Sequence, residues 1–126
     1  MTKNEILGKE LSNLYAIAKQ VNNYFDGSDI SFLSERTKVI LGNYVKFSCA
    51  NEEETSETLK ALQVNPGNTT DSIVNEITDN LHEVVLANYS KPLKELNYQL
   101  SLNRLLSYHM ANVDNILHLN ALLDKN

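Results

Sequence analysis

The pattern that most limits what this chain can fold into lies in its second long stretch. Leu33, Thr37, Ile40, Tyr44, Phe47, Asn51, Glu54, Thr58 and Ala61 recur at alternating four- and three-residue steps. That spacing holds side chains on one face of an α-helix, and such a face needs other helices to cover it. The seam is interrupted, because Asn51 and Glu54 stand where a core is dry. A carboxylate there needs a partner, a proton or a metal ion. The pattern predicts a helical bundle with a polar layer, either a site or the remnant of one.

Local signals divide the chain into four helical segments. The first runs from about Lys3 to Phe25, with Leu7, Leu11, Leu14, Ala18, Val21 and Phe25 on one seam. Gly27 stops it by supplying a left-handed residue, and Ser28 or Asp29 is placed to cap the next helix. The second segment runs from about Ile30 to Gln63 and ends at Asn65, Pro66, Gly67 and Asn68, a strong breaker. The third starts with Thr70 or Asp71 as N-cap and carries Ile73, Ile77, Leu81 and Val84 to about Ala87. Pro92 forces a break there, since the residue before proline is pushed out of the helical region. The fourth runs to about Asp124, with Leu102, Leu106, His109, Val113, Ile116, Asn120 and Leu123 as its seam. No alternation of the strand period appears, so the expected fold is all-α, an antiparallel four-helix bundle with short turns. A length of 126 residues suits one domain spanning 1–126.

Charge and composition remove several function classes. The formal net charge is −5 and lysines and arginines are scattered. Nucleic acid and anionic membrane surfaces, which select a basic stripe, are therefore not expected partners. No apolar run approaches the roughly 20 residues that span a bilayer. The first residues, Met1 to Gly8, form no secretory hydrophobic region, which points to the cytoplasm. Cys49 is the single cysteine, so neither an internal disulfide nor a thiolate zinc cage is available. There is no glycine-rich phosphate loop and no nucleophile elbow, which leaves hydrolase, kinase and thiol-redox chemistry without support.

Three stretches carry a family likeness. Glu53, Glu54, Thr55, Ser56, Glu57, Thr58, Leu59, Lys60, Ala61 and Leu62 are followed by Pro66, Thr70 and an apolar helix that ends near Glu83. This order resembles the helix with H-x-E-E-T-x-x-Q, the proline-bearing turn and the glutamate-rich helix of YciE/YciF-type ferritin-like stress proteins. Leu14 to Gln20 is similar to that family's L-Y-x-A-E-K-Q segment, and Arg104 to Ala111 to its R-V-E-H-Y-E-I-A segment. The resemblance implies a ferritin-like bundle and a di-metal site, in which carboxylates and histidines from four helices converge on the axis. Most of those ligands are replaced here. The family's first-helix glutamate aligns with Ala18, its last-helix glutamates with Leu106 and His109, its second-helix histidine with Asn51 and its glutamine with Thr58. Only Glu54 and Glu83 remain as carboxylates at matching positions.

Glu54, Glu83 and His109 are thus the candidate metal ligands, with iron or manganese as the cation of a reduced site. The competing reading makes Glu54 a carboxylate hydrogen-bonded to Asn51, Tyr108 or His109 in a polar core layer that fixes bundle register. His109 is either a surviving nitrogen ligand or a buried imidazole paired with a carboxylate. Asp79 and His82 share a helix face, yet they lie at the edge of the third seam and read as solvated, as does Glu57. Tyr15, Tyr44 and Tyr108 read as packing aromatics with satisfied hydroxyls, and Cys49 as an inert, semi-buried thiol.

Two functions follow. One is a non-catalytic, stress-associated interaction protein that keeps the scaffold but has lost the di-metal site. Leu93, Leu96, Leu117 and Leu119, which lie off the main seam, would then be buried in a homodimer. The other is a metal-binding or oxidoreductase-type ferritin-like protein that uses the reduced ligand set. A helical adaptor that holds another protein in a groove is a third possibility.

Overall fold

The computed structural model describes residues 1–124, and side chains as far as residue 122. The side chain of Leu123, assigned above to the fourth seam, lies outside the described ones. Four α-helices make up the fold among these residues: α1, Lys3–Phe25; α2, Glu35–Ala61; α3, Ser72–Leu86; and α4, Lys91–Asp124.

Each helix begins where its first free amides find an acceptor or need none. The Thr2 hydroxyl accepts from the Glu5 amide at 3.1 Å, and the Asp71 carboxylate accepts from Val74 at 2.9 Å. Pro92 sits in the first turn of α4, where a missing amide hydrogen costs no helical bond. The second helix starts later than its pattern suggested. Ser34, not Ser28 or Asp29, is the N-cap, accepting from the Thr37 amide at 3.4 Å. Asp29 instead closes a local turn by accepting from the amide and hydroxyl of Ser31, at 3.0 and 2.7 Å. Its carboxyl is held below the usual range by those bonds. The helix also ends before the Asn65–Pro66 breaker. Gln63 adopts the left-handed conformation (φ 57°), and the Val64 amide reaches back to the Leu59 carbonyl at 2.9 Å. That is the closing bond of a Schellman turn, made here without glycine.

α1 packs against α2 and α4, with a lighter contact to α3, and α3 packs against α4. The main core joins Ile17 and Val21 of α1 to Leu41 and Tyr44 of α2, Val74, Leu81 and Val84 of α3, and Tyr98, Leu102 and Leu105 of α4. A second cluster gathers Leu7, Leu11 and Leu59, with Tyr15, Val64, Ile116 and Leu119 against it. The α1 seam is buried as its spacing indicates, Phe25 partly so.

On α2 the buried positions are Thr37, Leu41, Tyr44, Ser48, Asn51, Thr55 and Leu59. The seam is therefore turned by about one residue from Ile40, Glu54, Thr58 and Ala61, which are exposed. At 3.6 residues per turn, positions three and four apart serve one face equally well, and tertiary packing decides between them. The same shift appears on α3, where Val74 and Thr78 are buried and Ile73 is exposed.

Candidate functional site: a histidine closed within the core

The polar layer exists and keeps Asn51 and His109 as the spacing indicated, with Tyr44 rather than Glu54 as the third member. His109 of α4 is fully buried, and both of its ring nitrogens are engaged by α2. Nδ1 lies 2.8 Å from the Tyr44 hydroxyl and Nε2 lies 2.9 Å from Asn51 Oδ1. A carboxamide oxygen only accepts, so Nε2 carries the proton and Nδ1 accepts from the Tyr44 hydroxyl. Tyr44 and Asn51 are seven residues apart, two helical turns, and so reach the imidazole from either side. The ring meets Tyr44 edge-on at 5.6 Å between centroids and lies tilted against Phe47 at 5.4 Å.

Burial sets the chemistry of this group. It pushes the His109 pKa from 6.5 down to about 4 and pushes the Tyr44 hydroxyl up. At neutral pH both are uncharged, each has its hydrogen-bond partner, and the low dielectric of the site strengthens the bonds. The rest of the layer closes on the backbone. The Thr55 hydroxyl donates to the Asn51 carbonyl at 2.7 Å, and the Ser48 hydroxyl to that of Ala18 at 3.4 Å.

A second polar tie joins three helices. Gln20 of α1 accepts from the Asp71 amide at 2.8 Å, and donates to the Asp71 carbonyl at 3.0 Å and to Asn75 Oδ1 at 2.7 Å. Tyr108 of α4 donates to Asp71 Oδ2 at 2.6 Å. Burial first, and then the neighbouring Asp71, push the Tyr108 pKa to about 12. A third tie places Glu95 of α4 against the Ser34 amide and the Thr37 hydroxyl, at 2.8 and 3.0 Å. These bonds, led by Ser34, hold the Glu95 carboxyl below its ordinary range.

Glu54 and Glu83, expected to point inward, are both exposed. Glu83 lines a hollow of about 240 Å³ between α3 and α4, with Tyr89, Leu100 and Arg104 among its walls. The structure thus does not bring Glu54, Glu83 and His109 together, and neither imidazole nitrogen is left over for a cation. Among the described residues no group of three or more His, Cys, Asp or Glu side chains is arranged to hold a metal ion. Glu57, Asp79 and His82 are exposed, as read from the sequence. Cys49 is exposed as well, rather than semi-buried. Tyr108, one of three candidate partners of Glu54, bonds Asp71 instead. Tyr44 packs in the core with its hydroxyl satisfied, as its seam position indicates, and the seven-residue step to Asn51 is the signal that the two share a node.

Compared with protein-family models, curated proteins and solved structures, the chain matches none of them. The likeness to the YciE/YciF-type proteins therefore rests on its sequence motifs alone. No helix among the described residues is long and apolar enough to cross a membrane.

Proposed function

We propose that this protein is a non-catalytic helical scaffold that acts through protein contacts, beginning with a second copy of itself. The observation that carries the reading is the contrast between its inside and its surface. The buried imidazole is fully engaged by its own neighbours, whereas Leu86, Tyr89, Leu93, Leu96 and Leu100 stand between 46% and 71% exposed. Leu93, Leu96 and Leu100 follow three- and four-residue steps along α4 and share a face. Tyr89 of the α3–α4 turn lines the same hollow as Leu100, and Leu86 ends α3 just before that turn. Apolar residues grouped in this way mark a contact surface, and a two-fold pair buries the same patch from both copies. Leu117 is exposed further along α4, whereas Leu119 is half-buried against the Leu7–Leu11–Leu59 cluster and is not part of this surface.

The helix directions belong to the same proposal. Gly8 faces Val64, and Asn22 reaches Glu52 at 2.7 Å, so α1 and α2 run oppositely. Tyr108 meets Asp71 and Lys94 meets the Val85 carbonyl, which opposes α3 and α4. Ile116 and Leu119, near the end of α4, lie against the cluster of Leu7 and Leu11 near the start of α1, which opposes α1 and α4 and leaves α1 and α3 parallel. These pairings support an alternating up-down arrangement joined by short segments, rather than the single long crossover of ferritin-like bundles.

Sedimentation equilibrium over a range of concentrations tests the reading. The wild type is expected to pair reversibly, and a Leu96→Glu, Leu100→Glu double variant to stay monomeric with an unchanged helical spectrum. A wild type that remains monomeric at the highest soluble concentration would overturn the self-association.

A further inference from the structure

The flank between α1 and α2 carries a second surface, away from the α4 stripe. Three hollows of about 420, 420 and 580 Å³ follow one another along it. The first and second share Tyr15, Ser56 and Lys60, and the second and third share Asn22 and Cys49. They form one groove rather than separate pits. Its lining on α2 extends from Lys38 to Lys60, which is about 33 Å at 1.5 Å per residue.

The two ends and the middle of the groove differ in chemistry. At one end Tyr15, Leu59, Val64 and Pro66 make an apolar floor. At the other, Phe25, Ile30, Leu41 and Val45 do the same. Between them stand Glu52, Glu53 and Glu57, with the Lys60 ammonium at the border. Lys38, at the far end, is already paired with Glu35 at 3.4 Å. The middle of the groove thus sets three carboxylates against the Lys60 ammonium and that of Lys19, which stands over the Tyr15 ring at 5.9 Å, and keeps an acidic excess.

Gly42 adds an independent observation. It lies inside α2, where glycine is a poor helix former, and a Cβ built on it would meet nothing within 4 Å. No contact among the described residues accounts for the missing side chain. What it leaves is a flat stretch of helix backbone on the groove floor, open to close approach by another backbone.

We propose that this groove docks a cationic amphipathic helix of a partner protein, with its apolar ends in the two apolar floors and lysine or arginine side chains against Glu52, Glu53 and Glu57. The occupant follows from length and charge. A helix of about five to six turns fits along the groove, and helix-in-groove recognition uses apolar anchors spaced along one face. Tyr15 and Phe25 mark the two floors ten residues apart on α1, about 15 Å, so the anchors sit roughly ten residues apart with the basic turns between them. An acidic centre attracts a basic partner and rejects an acidic one.

The probe is a labelled 18-residue helical peptide with leucines in its end turns and lysines in its central turns, alongside the same peptide with glutamates for lysines. Fluorescence anisotropy measures affinity at low and high salt, and amide NMR shifts locate the contact. The lysine peptide is expected to bind at least about tenfold more tightly than the glutamate peptide, and to weaken with salt. It should shift amides around Gly42, Cys49 and Ser56. Glu53→Lys with Glu57→Lys, both exposed and so tolerated by the fold, should lower its affinity at least about tenfold, and Gly42→Leu should do the same by blocking the floor. Melting curves taken alongside confirm that the variants are folded. Equal binding of the two peptides, affinity unchanged in both variants, or shifts confined to α4 would each overturn the proposal. The surface is independent of the α4 pairing, so a protein that proves monomeric still tests it.

Discussion

Lowering the pH should weaken the fold through one residue. His109 binds a proton near pH 4 in the folded chain because burial disfavours the imidazolium, and near 6.5 when unfolded. Its contribution to stability is complete above the unfolded value. It declines as pH falls from 6.5, because the unfolded chain takes up a proton that the folded chain refuses, and it levels off below about 4. A separation of about 2.5 units, at 1.36 kcal/mol each, is worth about 3 kcal/mol across that window. For a chain of this length, that is on the order of 10 °C in melting temperature. Carboxylates titrate in the same range, so the comparison that isolates the imidazole is wild type against His109→Gln. Urea titrations followed by circular dichroism would give the stability of both proteins at steps from neutral pH to pH 4. The advantage of the wild type over the variant should shrink by about 3 kcal/mol over those steps. Parallel pH profiles, or an advantage that grows on acidification, would refute a neutral buried imidazole.

Five further substitutions probe single features of the structure. Gly42→Ala should stabilise the protein by about 0.5–1 kcal/mol in thermal melts, since the helix gains a better former and the new methyl group meets nothing. Gly27→Ala should destabilise it, because φ at that position is 75°. The Tyr98 hydroxyl is buried without a hydrogen-bond partner among the described residues. Tyr98→Phe should therefore be neutral or stabilising by up to about 1 kcal/mol, and a loss of more than that would reveal a partner. Glu54→Gln and Glu83→Gln should each change stability by less than about 0.5 kcal/mol with or without chelator, as exposed residues do. A chelator-dependent melting shift that either substitution abolishes would return them to the ligand list.

The helices and the first seam were legible in the sequence because their signals are local. Gly27, Pro66 and Pro92 punctuate the chain whatever packs against it, and Leu7, Leu11 and Leu14 hold one seam of α1, with Ile17 buried beside it. The phase of α2 was not legible, and the reason is chemical. Thr55 is buried because its hydroxyl donates to the Asn51 carbonyl one turn back, and Thr78 is buried in the same way on the Val74 carbonyl, at 3.0 Å. A threonine that returns its hydrogen bond to its own helix presents a methyl group to the core. Thr58 returns its hydroxyl to the Glu54 carbonyl at 2.9 Å in the same way and is exposed, so the residue types fit either phase and packing chose between them. His109 was legible as an interruption in an apolar seam. Its partners were not, because a tyrosine reads as packing until its hydroxyl is placed. The Gln20–Asp71–Tyr108 tie joins residues from three helices, and no spacing along the chain announces it.

The claim on which the account turns is that the polar layer is closed by its own side chains. The most direct test is nitrogen NMR of the histidine rings at neutral pH, with the His109 signals identified by their loss in His109→Gln, followed by addition of zinc and then of iron or manganese. The account predicts a neutral His109 ring protonated on Nε2, with signals that stay in place when metal is added. A ring protonated on Nδ1 or on both nitrogens, or stoichiometric movement of the His109 signals on metal addition, would contradict it.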